Sequence, residues 1–175
     1  MKRMKRLGLF SFLACILIGW LIAVVIADDD DEERGKDGFG PVDNVTYKEQ
    51  CGACHLAYQP ALLPSESWRK ILSGLEDHNG TEVVIEAEDI SIIEQYLKDN
   101  AAEVSSAKRA AKIMRSLKGQ APTRITEIPY IRRKHHEIPA DVVERESVGS
   151  FSKCNACHVT ADRGIYKDDY VSIPE

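Results

Sequence analysis

Cys51-Gly52-Ala53-Cys54-His55 and Cys154-Asn155-Ala156-Cys157-His158 are two copies of one pattern, Cys-x-x-Cys-His, in a chain of 175 residues. On a helical turn, positions i, i+3 and i+4 share a face, so both thiols and the imidazole address one planar ligand together. This is the spacing of covalent c-type haem attachment, with two thioethers to the vinyl groups and a proximal histidine nitrogen on iron. The fifth cysteine, Cys15, lies in an apolar leader, so every other cysteine belongs to a motif. A zinc ribbon fits poorly, because ribbon pairs sit about 15–20 residues apart. Here about a hundred residues intervene and a histidine follows each pair. A thioredoxin-like dithiol needs a strand–turn–helix context, and no alternating strand pattern precedes either motif. The chain is therefore expected to carry two covalently attached haem c groups.

Outward from the motifs, the N-terminus is a targeting segment. Met1-Lys2-Arg3-Met4-Lys5-Arg6 is a basic n-region, residues 7–26 are uncharged and mostly apolar, and Val25-Ile26-Ala27 is a small-residue cleavage signal. Residues 1–27 are expected to be a signal peptide. The apolar run is just long enough to span a bilayer, so an uncleaved anchor is the alternative. The basic flank directs the following chain outward, which places the domain in the periplasm of a Gram-negative cell, free or tethered by residues 7–26. Loss of the four leader cations takes the formal charge from −5 to −9. Such a chain excludes nucleic acid as a partner and favours docking through basic or mixed surfaces.

Residues 28–40 are acidic with little to bury, the composition of a flexible tether. A short helical approach over 44–50 precedes the first motif. Ser65 to Leu75 is expected to be a helix capped by Ser65, with Trp68, Ile71, Leu72 and Leu75 on its apolar face. It ends at a turn containing His78-Asn79-Gly80. Asp89 to Ala102 carries the clearest stripe, Ile92, Ile93, Tyr96, Leu97 and Ala101, with Asp89 as N-cap. Ser105 to Leu117 is a weaker helix with Ala107, Ala110, Ala111, Met114 and Leu117 inward, stopped by Gly119. Beyond it Pro122, Pro129 and Pro139 punctuate the chain, and little regular structure is expected before the second motif. The fold class is mainly α, with two small haem-centred lobes, 41–120 and 121–175, the second irregular with long haem-wrapping loops. The flanks of the two motifs differ, which implies two different pockets. A monomer or weak oligomer is expected.

The histidine inventory bounds the chemistry. Of five histidines, His55 and His158 are proximal, leaving His78, His135 and His136 for two distal positions. His78 sits in a turn that can aim a side chain at a haem face. His135 and His136 adjoin Arg132-Arg133-Lys134, and neighbours cannot both reach one iron, so one is a ligand and the other surface. Met114 is the only methionine outside the leader, and it lies on an apolar helix stripe where core packing is its expected role. Two six-coordinate irons leave no open site for substrate. The count therefore favours an electron carrier with low-potential haems over an enzyme. The rival is a diheme peroxidase or reductase with one open iron.

An ordered set of residues resembles the bacterial diheme cytochromes c of the DHC type. It runs from Cys51 to Pro60, through Leu63-Pro64, Ser67-Trp68, Tyr96-Leu97 and Asn100-Ala101-Ala102. It continues with Arg124-Ile125-Thr126-Glu127, Pro129-Tyr130, Lys134-His135 and Glu137-Ile138-Pro139, and closes with Val148-Gly149-Ser150 and the second motif with Ala161 and Gly164. The resemblance implies two bis-histidine haems and an N-terminal half similar to a small cytochrome c. It also implies a periplasmic carrier between a membrane b-type cytochrome as donor and a soluble haem protein as acceptor. The Lys-His-x-Glu pattern implies His135 as the second distal ligand. The expected iron ligands are thus His55 with His78 and His158 with His135. Asn79 stands where the family commonly has an aromatic. Arg124 and Glu127 are candidates for holding a propionate or joining the two halves.

Overall fold

The computed structural model describes residues 38–175, which belong to one compact unit spanning Gly35–Glu175. The expected leader (1–27) and nearly all of the acidic tether (28–40) lie outside the described residues. Among these the fold is helical, without strands; the sole bridge pairs His158 with Val171.

Helix α1, Val45–Cys51, starts where the Asn44 side chain accepts from the Tyr47 amide at 2.8 Å, satisfying one orphan donor of the first turn. It delivers Cys51 at its last residue. Helix α2, Ser65–Leu72, differs from expectation at its start. Ser65 is its first helical residue, and the carboxylate of Glu103 serves as a cap from a distance, accepting from the Ser65 amide at 3.0 Å. Helix α3, Ala87–Asp99, begins two residues before Asp89 and has no side-chain cap. The Asp89 carboxylate accepts from Gln50 at 2.8 Å instead, tying α3 to α1. Glu88 and Asp89 still favour the first turn through the helix dipole. Helix α4, Lys108–Leu117, buries Ala110, Ile113 and Leu117. Ile113 thus takes the place expected of Ala111, and the helix ends in two left-handed residues, Lys118 and Gly119.

The proline-punctuated stretch is more regular than expected. Pro129 is the first residue of α5, Pro129–Lys134, and Pro139 caps α6, Ala140–Glu144. Proline breaks a helix interior but suits its first turn, where no amide partner is needed and φ is already helical. Helix α7, Cys154–Cys157, is the second motif itself.

Helix α3 packs on α1 and α2, and α4 packs on α5. The main core joins Tyr47, Leu63, Trp68, Ile93, Leu97, Ile113, Leu117 and Ile128, all nearly fully buried. Ile92, expected on the inward stripe of α3, is 41% exposed. Ile125, Ile128, Tyr130, Ile131 and Tyr166 pack on this core, so the segments before and after residue 120 share it. Polar bonds reinforce the join: the Phe39 amide donates to Gly164 O at 3.0 Å. Gly164 has φ +70, and a Cβ there would overlap the Gly40 carbonyl.

Candidate haem sites

The first site is built from the turn after α1 and the turn after α2. His55 Nδ1 is 2.8 Å from the Leu56 carbonyl, an arrangement that fixes the ring and leaves Nε2 for a metal. His78 sits in a loop closed by its own backbone: its amide donates to Thr81 O at 2.8 Å, and Gly80 N donates to Asp77 Oδ1 at 2.8 Å. Asn79 and Gly80 are both left-handed, φ 57 and 88. Asparagine tolerates that conformation far better than a bulky residue, which accounts for Asn79 at this position. The rings of His55 and His78 lie 6.3 Å apart, centroid to centroid, with planes at 25°.

The second site pairs the residue after α5 with the residue after α7. His135 Nδ1 is 2.8 Å from Ile131 O, again leaving Nε2 free. Its ring centroid lies 6.0 Å from that of His158, with planes at 72°. His136 is not brought to the site. Its Nδ1 meets Arg133 O at 2.8 Å, while Nε2 lies 3.7 Å from the Glu137 carboxylate with the side chain 69% exposed.

Both separations suit an iron between the rings. Metal–imidazole bonds of about 2.0–2.1 Å on either side put the nitrogens about 4 Å apart and the ring centroids about 6 Å apart. Burial lowers the pKa of His78 first, with the His55 and Arg124 charges adding to it; burial, then His135 and Arg109, does the same for His158. The neutral imidazole is the ligating form. Burial also raises the thiols of Cys51 and Cys154 to about 11, which keeps them protonated. Among the described residues no two cysteines are joined as a disulfide. Among the described residues no cluster of three or more His, Cys, Asp or Glu offers a zinc-type site.

Several residues at these sites were given no individual role by their sequence context. Tyr58 stacks on His55 at 4.8 Å and 24° and donates its hydroxyl to Ser152 O at 2.5 Å. That carbonyl also lies 3.8 Å from Cys154 Sγ. Gln59, 1% exposed, donates to Ala161 O at 2.7 Å and accepts from the Tyr166 hydroxyl at 2.6 Å. Tyr166 meets the His158 ring at 5.3 Å and Phe151 meets His135 at 6.0 Å, both edge-on. The hints were position, since Tyr58 and Gln59 follow the first motif by three and four residues, and their place in the run Cys51 to Pro60 that carries the resemblance. Two buried polar atoms lack protein partners near the second site, Arg109 Nε and His158 Nδ1. Arg109 NH1 reaches Tyr130 OH at 3.3 Å. Met114 packs against the core, as expected of it. Arg124 and Glu127 bracket a tight turn, with the Glu127 amide donating to Arg124 O at 3.1 Å.

A family model for dihaem cytochrome c matches residues 47–166. The chain belongs to the dihaem cytochrome c family. With that membership come two covalently bound haem c groups and a role in electron transfer. A diheme cytochrome c from Rhodobacter sphaeroides is 36% identical, covering 73% of this chain and 99% of its own, with a TM-score of 0.64. A diheme cytochrome c from Shewanella baltica OS155 is 37% identical over 75% of this chain and 93% of its own, with a TM-score of 0.62. Among curated protein sequences none matches significantly.

Proposed function

We propose that this dihaem cytochrome c is a periplasmic electron carrier with two bis-histidine, low-potential haems. Cys51, Cys54 and His55 would attach the first group, with His78 as its sixth ligand. Cys154, Cys157 and His158 would attach the second, with His135 opposite. The observation that carries the reading is the pair of imidazole separations, 6.3 and 6.0 Å, each the span of one axially ligated iron. A bound haem c supplies an iron that gains and releases one electron. The chain's task is then to hold both axial nitrogens in either oxidation state, so that little rearrangement accompanies transfer. The hydrogen bonds from Nδ1 of His55 and His135 to carbonyls serve that purpose. The unpaired Arg109 Nε suits a haem carboxylate. Tyr58 supplies a contact path from His55 through Ser152 O to Cys154.

Such a carrier takes electrons from a membrane b-type cytochrome and delivers them to a soluble haem protein. A peroxidase or reductase needs an exchangeable iron position, which two close histidine pairs do not leave. Visible and electron paramagnetic resonance spectra of the oxidised protein, repeated after reduction under carbon monoxide, test this. Two low-spin signals and no carbon monoxide adduct are expected. A high-spin component or an adduct would overturn the carrier reading.

A further inference from the structure

Charge is segregated along this chain in a way its overall composition hides. From Ile71 to Leu97, around His78, there are seven carboxylates and no lysine or arginine. From Val104 to His136 there are nine lysines and arginines against one carboxylate, Glu127, in a chain of net charge −5. The fold brings the two helices of that segment together, because α4 packs on α5, while Arg124 between them acts on His78. Lys112 and Arg115 lie on the outer side of α4, and with Arg133 of α5 they line a shallow groove floored by Ser116 and Tyr130. No carboxylate pairs with these three cations among the described residues. Asp168 lies 3.8 Å from Lys134 at the end of α5, and both are exposed.

The groove leads to the second site. Tyr130 at its floor donates its amide to Ser116 Oγ at 3.2 Å, which anchors the start of α5 on α4. The end of α5 is Arg132-Arg133-Lys134, followed at once by His135, whose ring faces His158. A basic run could be no more than a solvated helix face. Three features argue otherwise: Lys112, Arg115 and Arg133 converge on a groove, no carboxylate pairs with these three among the described residues, and the run ends on a residue of the redox site.

We propose that the α4–α5 basic face is the docking surface for an acidic one-electron redox protein that exchanges electrons with the second haem. This rests on the assignment of His135 and His158 to that haem. The carboxylates of the partner meet Lys112, Arg115 and Arg133, whereas the stretch around His78 offers seven carboxylates, opposed there by Arg124. A patch of one sign steers an oppositely charged partner to it.

Reduced flavodoxin, a strongly acidic redox protein, is a suitable probe. One electron passes from its hydroquinone, leaving the semiquinone, to the ferric second haem, leaving it ferrous. Reduction is followed by stopped flow at rising ionic strength, on the holoprotein and on the variant Lys112→Glu/Arg115→Glu/Arg133→Glu. The unmodified protein should react faster as salt falls. The variant should lose about tenfold or more at low salt and reverse that dependence, since steering is worth about 10–10³ in rate. Equal rates in the two proteins would overturn the proposal. Retention of the unmodified protein on phosphatidylglycerol vesicles, lost in the variant while flavodoxin rates stay unchanged, would overturn it in favour of an anionic membrane. Failure of the underlying ligand assignment is distinguishable, because it would appear as a high-spin spectrum in the unmodified protein before any partner is added.

Discussion

Replacing Gln59 with Leu tests whether the two haem segments are joined by a buried polar staple. Gln59 is 1% exposed, and both ends of its amide are used: Nε2 donates to Ala161 O at 2.7 Å and Oε1 accepts from Tyr166 OH at 2.6 Å. Leucine is of similar size but removes both bonds: it orphans the Tyr166 hydroxyl, while the Ala161 carbonyl keeps its second donor, the Gly164 amide at 3.0 Å. A buried group left without a partner costs about 1–3 kcal/mol, so the substitution should cost about 2 kcal/mol. For a domain of this size each kcal/mol moves the unfolding midpoint by about 3–5 °C, giving a fall of roughly 6–10 °C. Thermal unfolding of the holoprotein, followed by far-ultraviolet circular dichroism, measures it. Tyr166→Phe orphans only Oε1 and should cost less. The double variant should lose less than the sum by about 1 kcal/mol, since the two residues share one bond. A loss below about 0.5 kcal/mol for Gln59→Leu, the range of an ordinary surface change, would refute the staple.

His135→Ala should leave the second haem high-spin and open to carbon monoxide, whereas His136→Ala should leave both spectra intact; the reverse result would shift the ligand by one residue. Met114→Leu should change neither haem spectrum and cost less than about 1.5 kcal/mol, as volume-conserving core swaps do; a lost charge-transfer band near the red edge would contradict its packing role. Gly164→Ala should destabilise the fold strongly in chemical denaturation, because the new Cβ overlaps the Gly40 carbonyl at a position with φ +70. Burial holds the Tyr47 hydroxyl well above its ordinary value of 10.0, while the unfolded chain ionises near that value. Stability should therefore be fully present below pH 10 and decline as pH rises further, and Tyr47→Phe should flatten that alkaline decline in denaturant titrations at a neutral-pH cost of about 1 kcal/mol for the bond to Tyr58 O.

The helical class was legible because it rests on a local rule, the periodicity of apolar side chains. Motif spacing likewise sets which side chains share a turn, but counting five histidines left His135 and His136 open, and only the resemblance pointed to His135. Helix starts were less legible because remote groups decide them. The Asp89 carboxylate is drawn to Gln50, and Glu103, 38 residues away, caps α2 at Ser65. Nothing local to either residue carries that information. The short helices at Pro129 and Pro139 were hidden for a different reason: proline reads as a breaker until its place in the first turn is known. Tyr58 and Gln59 lie just after the first motif, but only tertiary packing brings them to Ser152, Ala161 and Tyr166 of the second segment.

The two sites differ in their surroundings. At the first, the imidazole planes are nearly parallel, 25° apart, and His78 lies in a stretch of sequence with no cation; at the second the planes cross at 72° and His135 follows a cationic helix. Negative charge beside an iron favours the ferric state, and positive charge favours the ferrous state. The fields at the two sites are mixed: Arg124 acts on His78 against the acidic stretch around it, and Asp168 acts on His158 against Arg109. Solvent screening weakens such fields at exposed side chains, whereas Arg109 Nε, buried and without a hydrogen-bond partner near His158, is shielded from it. Two similar haem motifs thus acquire different surroundings through the segments that fold over them.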